Sequence, residues 1–521
     1  MKEFDFEKIP IVEIANEILL DGVRKGASDI HFDPGKEDLK IRMRIDGTLY
    51  DYTVVPGDYK RNMVSRIKMI ASMNIMETRL PQDGAIKSKI GDKMLDLRVS
   101  SLPTNCGEKV VLRILDFSRS SQGLETLGFS DVNLEKILHM IEIPNGIVLV
   151  TGATGSGKST TVYSILSRLN TSEVNIITVE DPVEMDVVGL NQVQAQHEIG
   201  LDFATVLKSI LRQDPDIIMI GEIRDGETAK IAVRASITGH KVLSTIHTNS
   251  ALNTIERLTD MDVERYLIST SLNGCISQKL ARKMCQHCRV QRPTTDYEKK
   301  LIKTALHIDV DNIYDINSKG CEHCMHGYKG RICIAEVLLI SDEVRTAITN
   351  NAPKEEMRRM VYGHSDTHTL LQDGLEKVVL GETNFEEVLK LVDLENDLAI
   401  HEDLNAQGIG NKPYDLQGAL QKQAQRKAEA EAKAKAEAEA AALKAQQQAA
   451  LQAQQAAMAQ NPQAGGTPQP MQLPQQQVQA VQAAQPVQQP QPQNQQPAVQ
   501  SVVPSLVAAQ QTPAMEAPPT A

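Results

Sequence analysis

The sequence predicts an α/β protein organised around a phosphate-binding loop. Three observations carry that reading. The run Gly152-Ala153-Thr154-Gly155-Ser156-Gly157-Lys158-Ser159 fits G-x-x-x-x-G-K-[ST], with a short apolar run (147–150) before it and a helical stretch (160–169) after it. Apolar runs at 147–150, 175–179, 217–220 and 242–245 alternate with helical segments, the pattern of a parallel sheet covered by helices. Finally, composition changes at about residue 416, so the globular part ends well before the chain does.

The 521 residues suffice for two to four domains, and the net charge of −12 weighs against DNA as the main partner. No apolar run approaches membrane-spanning length, and Met1-Lys2-Glu3-Phe4-Asp5 is too acidic for a signal peptide. The expectation is a cytoplasmic protein with no direct membrane insertion, recruited to a membrane only through a partner.

Residues 1–118 read as a first α/β domain. Residues 12–23 have helical apolar spacing. Residues 29–32 and 39–45 alternate like strands, the second closing on the turn Asp46-Gly47. Residues 61–76 read as a helix whose Met69, Met73 and Met76 pack into the core. Two further strands, 95–100 and 109–115, flank a turn at 103–107 that carries Cys106. Arg42, Arg44, Arg98 and Arg113 all fall within these strands. One strand-borne arginine usually points to solvent, but several together suggest a face aimed at an anion. Residues 119–142 read as a linker and 143–415 as the nucleotide domain. Residues 416–460, dense in Ala, Gln, Lys and Glu, read as a solvated helix without an apolar stripe. Residues 461–521, rich in Gln and Pro, read as a disordered tail.

The chemistry begins at the loop. Glycines let successive backbone N–H groups turn inward around phosphate oxygens, and the helix N-terminus adds partial positive charge. Gly152, Thr154, Gly155, Ser156, Gly157, Lys158, Ser159 and Thr160 are the expected ATP contacts. Lys158 reaches the β- and γ-phosphates, and the Ser159 hydroxyl holds Mg²⁺. Hydrolysis also needs a group that positions water. Glu222, directly after the run 217–220 and Gly221, is the candidate. Asp216 precedes that run, so metal assistance falls to Glu222 through water or to the neighbouring strand. There Glu180, Asp181 and Glu184 crowd a strand end stopped by Pro182, and Glu180 is placed in the metal and water shell. His247 ends the run at 242–246 on the same edge, where it senses the γ-phosphate or connects to Glu222.

A separate signal is Cys285-Gln286-His287-Cys288 with Cys321-Glu322-His323-Cys324. Two C-x-x-C pairs can place four thiolates tetrahedrally around Zn²⁺, and four thiolates leave no open position, so the site reads as structural. His287, His323 and His326 are possible substitute ligands. Cys275 and Cys333, outside the pairs, are expected to be buried. Seven cysteines in so long a chain do not suggest a secreted disulfide scaffold.

These residues together resemble the secretion ATPases that power type II secretion and type IV pilus assembly, from about residue 8 to residue 400. The blocks that carry the resemblance are Ala27-Ser28-Asp29-Ile30-His31, Arg42-Met43-Arg44-Ile45-Asp46-Gly47, Leu80-Pro81-Gln82-Asp83-Gly84 and Gly107-Glu108-Lys109-Val110-Val111-Leu112-Arg113. Val179 to Glu184 resembles the family's Asp box, Arg212 to Asp225 its Walker B region, and Thr238 to Thr248 its His box. The resemblance implies a PAS-like N-terminal domain before a RecA-like ATPase domain with a tetracysteine zinc insertion at 281–333. It also implies a homo-hexamer that hydrolyses ATP to work an inner-membrane platform protein and extend a pilus or pseudopilus. Arg98 and Arg113, with Arg79 as a further candidate, match the arginines by which the first domain completes the site. The cysteine pairs, with Gly327 to Val337, point to the assembly and secretion branch. The readings set beside it are a pilus retraction motor, a DNA-uptake or conjugation ATPase, and a nucleotide-gated scaffold. Ala85 stands where the family usually has arginine, the extra N-terminal module common in assembly motors is missing from the chain, and the Gln/Pro tail has no counterpart.

Overall fold

Alternation of apolar and charged residues builds the N-terminal sheet. The structure, a computed structural model, describes residues 1–90, 93–115, 123–364, 367–409, 412–429 and 432. Helix α1 (Ile11–Arg24) leads into β1 (Ala27–Pro34), β2 (Asp38–Ile45), β3 (Thr48–Pro56), α2 (Gly57–Ile70), β4 (Gln82–Ile90), β5 (Lys93–Thr104) and β6 (Gly107–Leu115). The strands pair antiparallel in the order β3-β2-β1-β6-β5-β4. Ile30, Phe32, Ile41 and Met43 turn towards Ile14, Ile18, Met63 and Ile67 of the two helices in one core. The four strand-borne arginines lie in register with one another or with Asp29 and His31 (Arg44 and Arg113 opposite Asp29, Arg42 opposite His31, Arg98 opposite Arg113).

The methionine stripe is corrected. Helix α2 ends at Ile70, Met69 and Met76 are exposed, and of the three only Met73 is buried. The end is a Schellman turn: Ser72 takes φ 58°, its N–H donates to Met69 O, and the Met73 N–H donates to Lys68 O. Lys68 is buried there, with its ammonium on Glu77 O and 2.6 Å from the Glu108 carboxylate.

The linker reading is also corrected. Residues 116–122 lie outside the described residues, but α3 (Asp131–Glu142) belongs to the second core. Ile137, Met140 and Ile141 pack with Val148, Val150 and Tyr163. The second sheet follows with β7 (Gly146–Thr151), α4 (Lys158–Leu169), β8 (Ile176–Glu180), β9 (Leu190–Gln194), α5 (Phe203–Ile210), β10 (Ile217–Ile220), α6 (Gly226–Ile237), β11 (Lys241–Ile246), α7 (Asn253–Asp260), α8 (Arg265–Ser271) and β12 (Leu272–Met284). A smaller subdomain adds β13 (Val290–Pro293), α9 (Asp296–Leu306) and β14 (Asn312–Asp315). After it come β15 (Tyr328–Leu339), α10 (Asp342–Thr349), α11 (Lys354–Arg359), α12 (Leu370–Val379), α13 (Phe385–Leu391) and α14 (Leu394–Ala406). The sheet order is β15-β12-β7-β11-β10-β8-β9, parallel throughout except for β15. Its central strands are apolar on both faces because helices cover both, which is why they read as continuous apolar runs. Residues 416–429 are helical, and the remainder of the Ala/Gln-rich segment and the tail, apart from Ala432, lies outside the described residues.

One buried polar knot ties the C-terminal helices to this sheet. Asp373 of α12 is fully buried and accepts from Ala335 N at 2.8 Å, from Asn133 Nδ2 at 3.3 Å and from the buried Lys377 ammonium. Removing the carboxylate strands that ammonium. Asp373→Ala is therefore expected to lower the unfolding free energy by about 3–5 kcal/mol, read by urea denaturation.

Candidate active site and metal centre

Parallel pairing sets the ends of β7, β8, β10 and β11 along one edge. The register matches Val179 with Ile220, Ile220 with Ser244 and Ser244 with Leu149. The residues that follow these positions, Gly152, Glu180 to Pro182, Gly221-Glu222 and His247, therefore share the carboxyl edge of the sheet, where ligands bind in open α/β folds. Because β11 lies between β7 and β10, His247 comes between the phosphate loop and Glu222.

The loop has the cradle shape. Gly152, Gly155 and Gly157 have φ of 142°, 81° and 92°, which side chains rarely adopt, and a Cβ on Gly155 would face open space. Lys158 donates to Gly152 O at 2.9 Å and to Ala153 O at 3.3 Å. Burial pulls its ammonium below the usual lysine value while the Glu222 charge acts against that, so the two groups feel each other. Thr154 and Ser159 are exposed, Thr160 is half-buried, and the Ser156 hydroxyl is buried without a hydrogen-bond partner among the described residues. An open glycine-lined loop, a helix N-terminus, an inward lysine and an orphaned hydroxyl suit the polyphosphate of ATP.

Glu222 is held at both oxygens. Oε1 lies 3.0 Å from His247 Nε2, the connection expected from sequence, and Oε2 accepts from Arg224 Nε at 3.0 Å. Arg224 continues to Asp181 at 3.7 Å, and His197 meets the same Asp181 oxygen at 3.4 Å. Asp216 sits at the opposite end of β10 and accepts from Asn175 N at 2.7 Å, so it takes no part.

Glu180 is a correction. It is buried, accepts from Thr178 Oγ1 at 2.6 Å and Gln192 Nε2 at 3.1 Å, and meets the Tyr163 hydroxyl. Its side chain turns beneath the sheet edge towards α4, with both oxygens engaged, so it shapes the strand end rather than holding water or metal. Asp181, one residue on, is the carboxylate that reaches the Glu222 network. The arginines divide as well. Arg98 donates to Val183 O at 3.0 Å, crossing from the first domain to the loop after β8. Arg113 pairs with Asp29 at 3.1 Å within its own domain, and Arg79 pairs with Glu77 at 2.8 Å. Arg42 and Arg44 are likewise partnered, by Asp33 and Asp29.

Sequence reasoning missed Gln278, which clamps the loop from β12. Its Nε2 donates to Ser156 O at 2.8 Å, and its Oε1 accepts from Thr161 Oγ1 at 2.8 Å. It also missed the Thr151–Thr248 pair, in which the Thr248 N–H donates to Thr151 Oγ1 at 2.9 Å and ties the segment after β11 to β7. Gln278 stands among Asn273, Ser277, Lys279, Arg282 and Lys283 in the same strand, so its residue type gave no signal of the clamp.

The four cysteines converge. One sulfur from each of Cys285, Cys288, Cys321 and Cys324 lies within 4.8 Å of the others. The Cys285–Cys321, Cys288–Cys324 and Cys321–Cys324 sulfurs are 3.7 Å apart. A tetrahedral ion about 2.3 Å from each sulfur sets them about 3.8 Å apart, so the donor set fits Zn²⁺. The His287 and His323 rings lie against each other, centroids 4.5 Å apart, outside that set. Cys275 and Cys333 are buried, as expected.

Gln278→Leu keeps the side-chain volume but leaves Ser156 O and Thr161 Oγ1 unpaired. It is expected to weaken ATP binding about tenfold, read by fluorescent-nucleotide titration, and to lower the unfolding free energy by about 1–3 kcal/mol, read by urea denaturation.

Comparison with known proteins agrees with this geometry. The family described as Type II/IV secretion system protein matches residues 5–390. Type II secretion system protein E of Pectobacterium carotovorum subsp. carotovorum is 46% identical over 387 residues, covering 73% of this chain and 76% of the relative. The type IV pilus assembly ATPase PilB of Myxococcus xanthus is 46% identical over 383 residues, covering 73% and 67%. Among solved structures, the pilus retraction motor PilT with bound ADP superposes with a TM-score of 0.50 at 25% identity, covering 74% of this chain and 98% of PilT. The Legionella pneumophila ATPase DotB, at 21% identity, shares the fold with a TM-score of 0.55 over 75% of this chain and 98% of its own. The phosphate loop, the Glu222–His247 pair and the match over 5–390 belong together: this chain is a member of the type II/IV secretion system ATPase family.

Proposed function

We propose that the protein is a homo-hexameric ATPase motor that drives assembly of a type IV pilus or type II secretion pseudopilus by working an inner-membrane platform protein from the cytoplasmic side. The observation that carries the reading is Glu222, fixed by His247 and Arg224 on the sheet edge that also holds Lys158. Among the described residues no helix is long and apolar enough to cross a membrane, so attachment through a partner suits the chain. In this reading the sheet of β7 to β12 is a RecA-like motor domain and the antiparallel sheet before it is PAS-like. The four-cysteine element marks assembly rather than retraction.

The residues divide the work. The amides from Gly152 to Lys158 bind the β-phosphate, and Lys158 leaves its loop carbonyls for the β- and γ-oxygens. Ser159, in the first turn of α4, is the hydroxyl that holds Mg²⁺, whose charge offsets that of the phosphates. Glu222 orients water towards the γ-phosphorus, and His247 fixes the carboxylate's angle and reports on the γ-phosphate. Arg98, already on the loop after β8, brings a cation from the first domain, and Arg113 joins it by exchanging Asp29 for the nucleotide. Cys285, Cys288, Cys321 and Cys324 would hold Zn²⁺, which would cross-link the element between β12 and β15.

Glu222→Gln is expected to retain ATP binding and lose at least about a hundredfold in kcat, whereas Lys158→Ala loses binding. Steady-state hydrolysis and nucleotide titration read the two separately, and near wild-type turnover in Glu222→Gln removes the assigned role. Wild-type rate per subunit should rise with protein concentration and ignore added DNA. Metal analysis of protein purified without chelator should find about one zinc per chain.

A further inference from the structure

The segment after the second cysteine pair reaches the N-terminal domain, a contact that the nucleotide chemistry does not use. Met325 packs against that domain's core beside Tyr50. The His326 ring stacks on Tyr50, with centroids 5.6 Å apart and planes 13° apart. The Gly330 N–H donates to Asp46 Oδ2 at 2.7 Å. Asp46 begins the Asp46-Gly47 turn between β2 and β3, so the whole contact falls on one hairpin.

The shape of the segment depends on the cysteines. His326, Gly327 and Gly330 all have positive φ (49°, 86° and 79°), and a Cβ on Gly327 would lie 2.7 Å from Asn317 O. Tyr328 to Gly330 begin β15, and the turn before it is closed by the two backbone hydrogen bonds that Met325 and Tyr328 exchange, each 3.0 Å. The segment is fastened to the cysteine pairs by Cys321 N–H on Cys324 Sγ at 3.2 Å and by Cys285 N–H on Gly327 O at 2.9 Å. Both bonds are made by metal-site cysteines. Without a cation, the four thiol groups are held together only by weak S–H···S contacts at 3.7 Å, so metal binding and local folding are coupled. On the other side the element grows out of the nucleotide sheet. Cys285 directly follows β12, and Arg282 of β12 lies over the Tyr328 ring of β15 at 3.8 Å.

We propose that the metal centre builds a docking surface for the N-terminal domain of its own chain: metal on the four thiolates fixes residues 325–330 as the seat for the Asp46-Gly47 hairpin, and metal loss releases it. This rests on the zinc reading of the cysteines and not on the motor reading, and the test measures metal separately.

Hydrogen exchange of the full-length protein, with zinc content determined on the same sample, decides it. Asp46→Gly and His326→Asn suit their backbone, since glycine and asparagine accept positive φ. Each should keep its zinc yet speed exchange about tenfold in residues 325–331, where the Gly330 amide loses its acceptor or its neighbouring stack, and in the 46–50 hairpin. Cys324→Ser should lose zinc and free both segments while 30–32 and 41–43 stay protected. Three results would each overturn the proposal: a hairpin as protected in Cys324→Ser as in the wild type, unchanged exchange at 325–331 in zinc-loaded Asp46→Gly, or a wild type that carries no zinc.

Discussion

The site depends on the placement of β11 between β7 and β10. In a parallel sheet every strand ends at the same edge, so strand order alone decides which terminal residues become neighbours. With β11 inserted, the histidine after it falls within 3.0 Å of the glutamate after β10, and the segment carrying that histidine is tied back to the phosphate-loop strand through Thr151 and Thr248. An order that placed β10 directly beside β7 would bring Glu222 to the loop but leave His247 outside the pair. The separation between the lysine and the glutamate is thus a property of the sheet, and neither loop sets it alone.

The rigidity around this edge comes from buried polar groups with every partner supplied. Gln278 satisfies Ser156 O and Thr161 Oγ1, and Glu180 takes Thr178, Gln192 and Tyr163. Such groups cost desolvation energy and return it only when all their bonds form, which makes them specific for one arrangement of strand, loop and helix. The same holds for Asp373 beneath α12, where one carboxylate joins α3, β15 and a buried lysine. His247, Arg224, Asp181 and His197, exposed along the rim, form a chain of contacts of 3.0–3.7 Å that runs through the half-buried Glu222.

Two of the contacts between the N-terminal domain and the second domain differ in character. Arg98 reaches the loop after β8, within three residues of Glu180, and the hairpin at Asp46 meets the segment after the second cysteine pair. One contact lies beside the nucleotide edge and the other beside the metal centre. The first can respond to the charge of a bound nucleotide, and the second is set by how firmly the cysteine element is closed. An N-terminal domain held at two such points has its orientation set by both.

The sequence by itself determined the parts whose signal is local. The phosphate loop, the central strands and the Asp46-Gly47 turn follow from glycine spacing, apolar runs and turn chemistry within a few residues of each other. The two C-x-x-C pairs were also legible, because each pair is fixed by the bite of its own turn. Tertiary structure decided the rest. Whether Glu180 or Asp181 faces the nucleotide edge depends on which side of β8 is covered by α4. Gln278 became a loop clamp only because β12, more than a hundred residues on, pairs beside β7. The end of α2 before Met73 is set by a backbone turn around buried Lys68, which apolar spacing does not record. Residues 119–142 read as a linker because a helix with one apolar face, here α3, gives no hint of which core will receive it. Local chemistry is written in neighbouring residues, but the partner of a buried polar group is chosen by packing across the whole sheet.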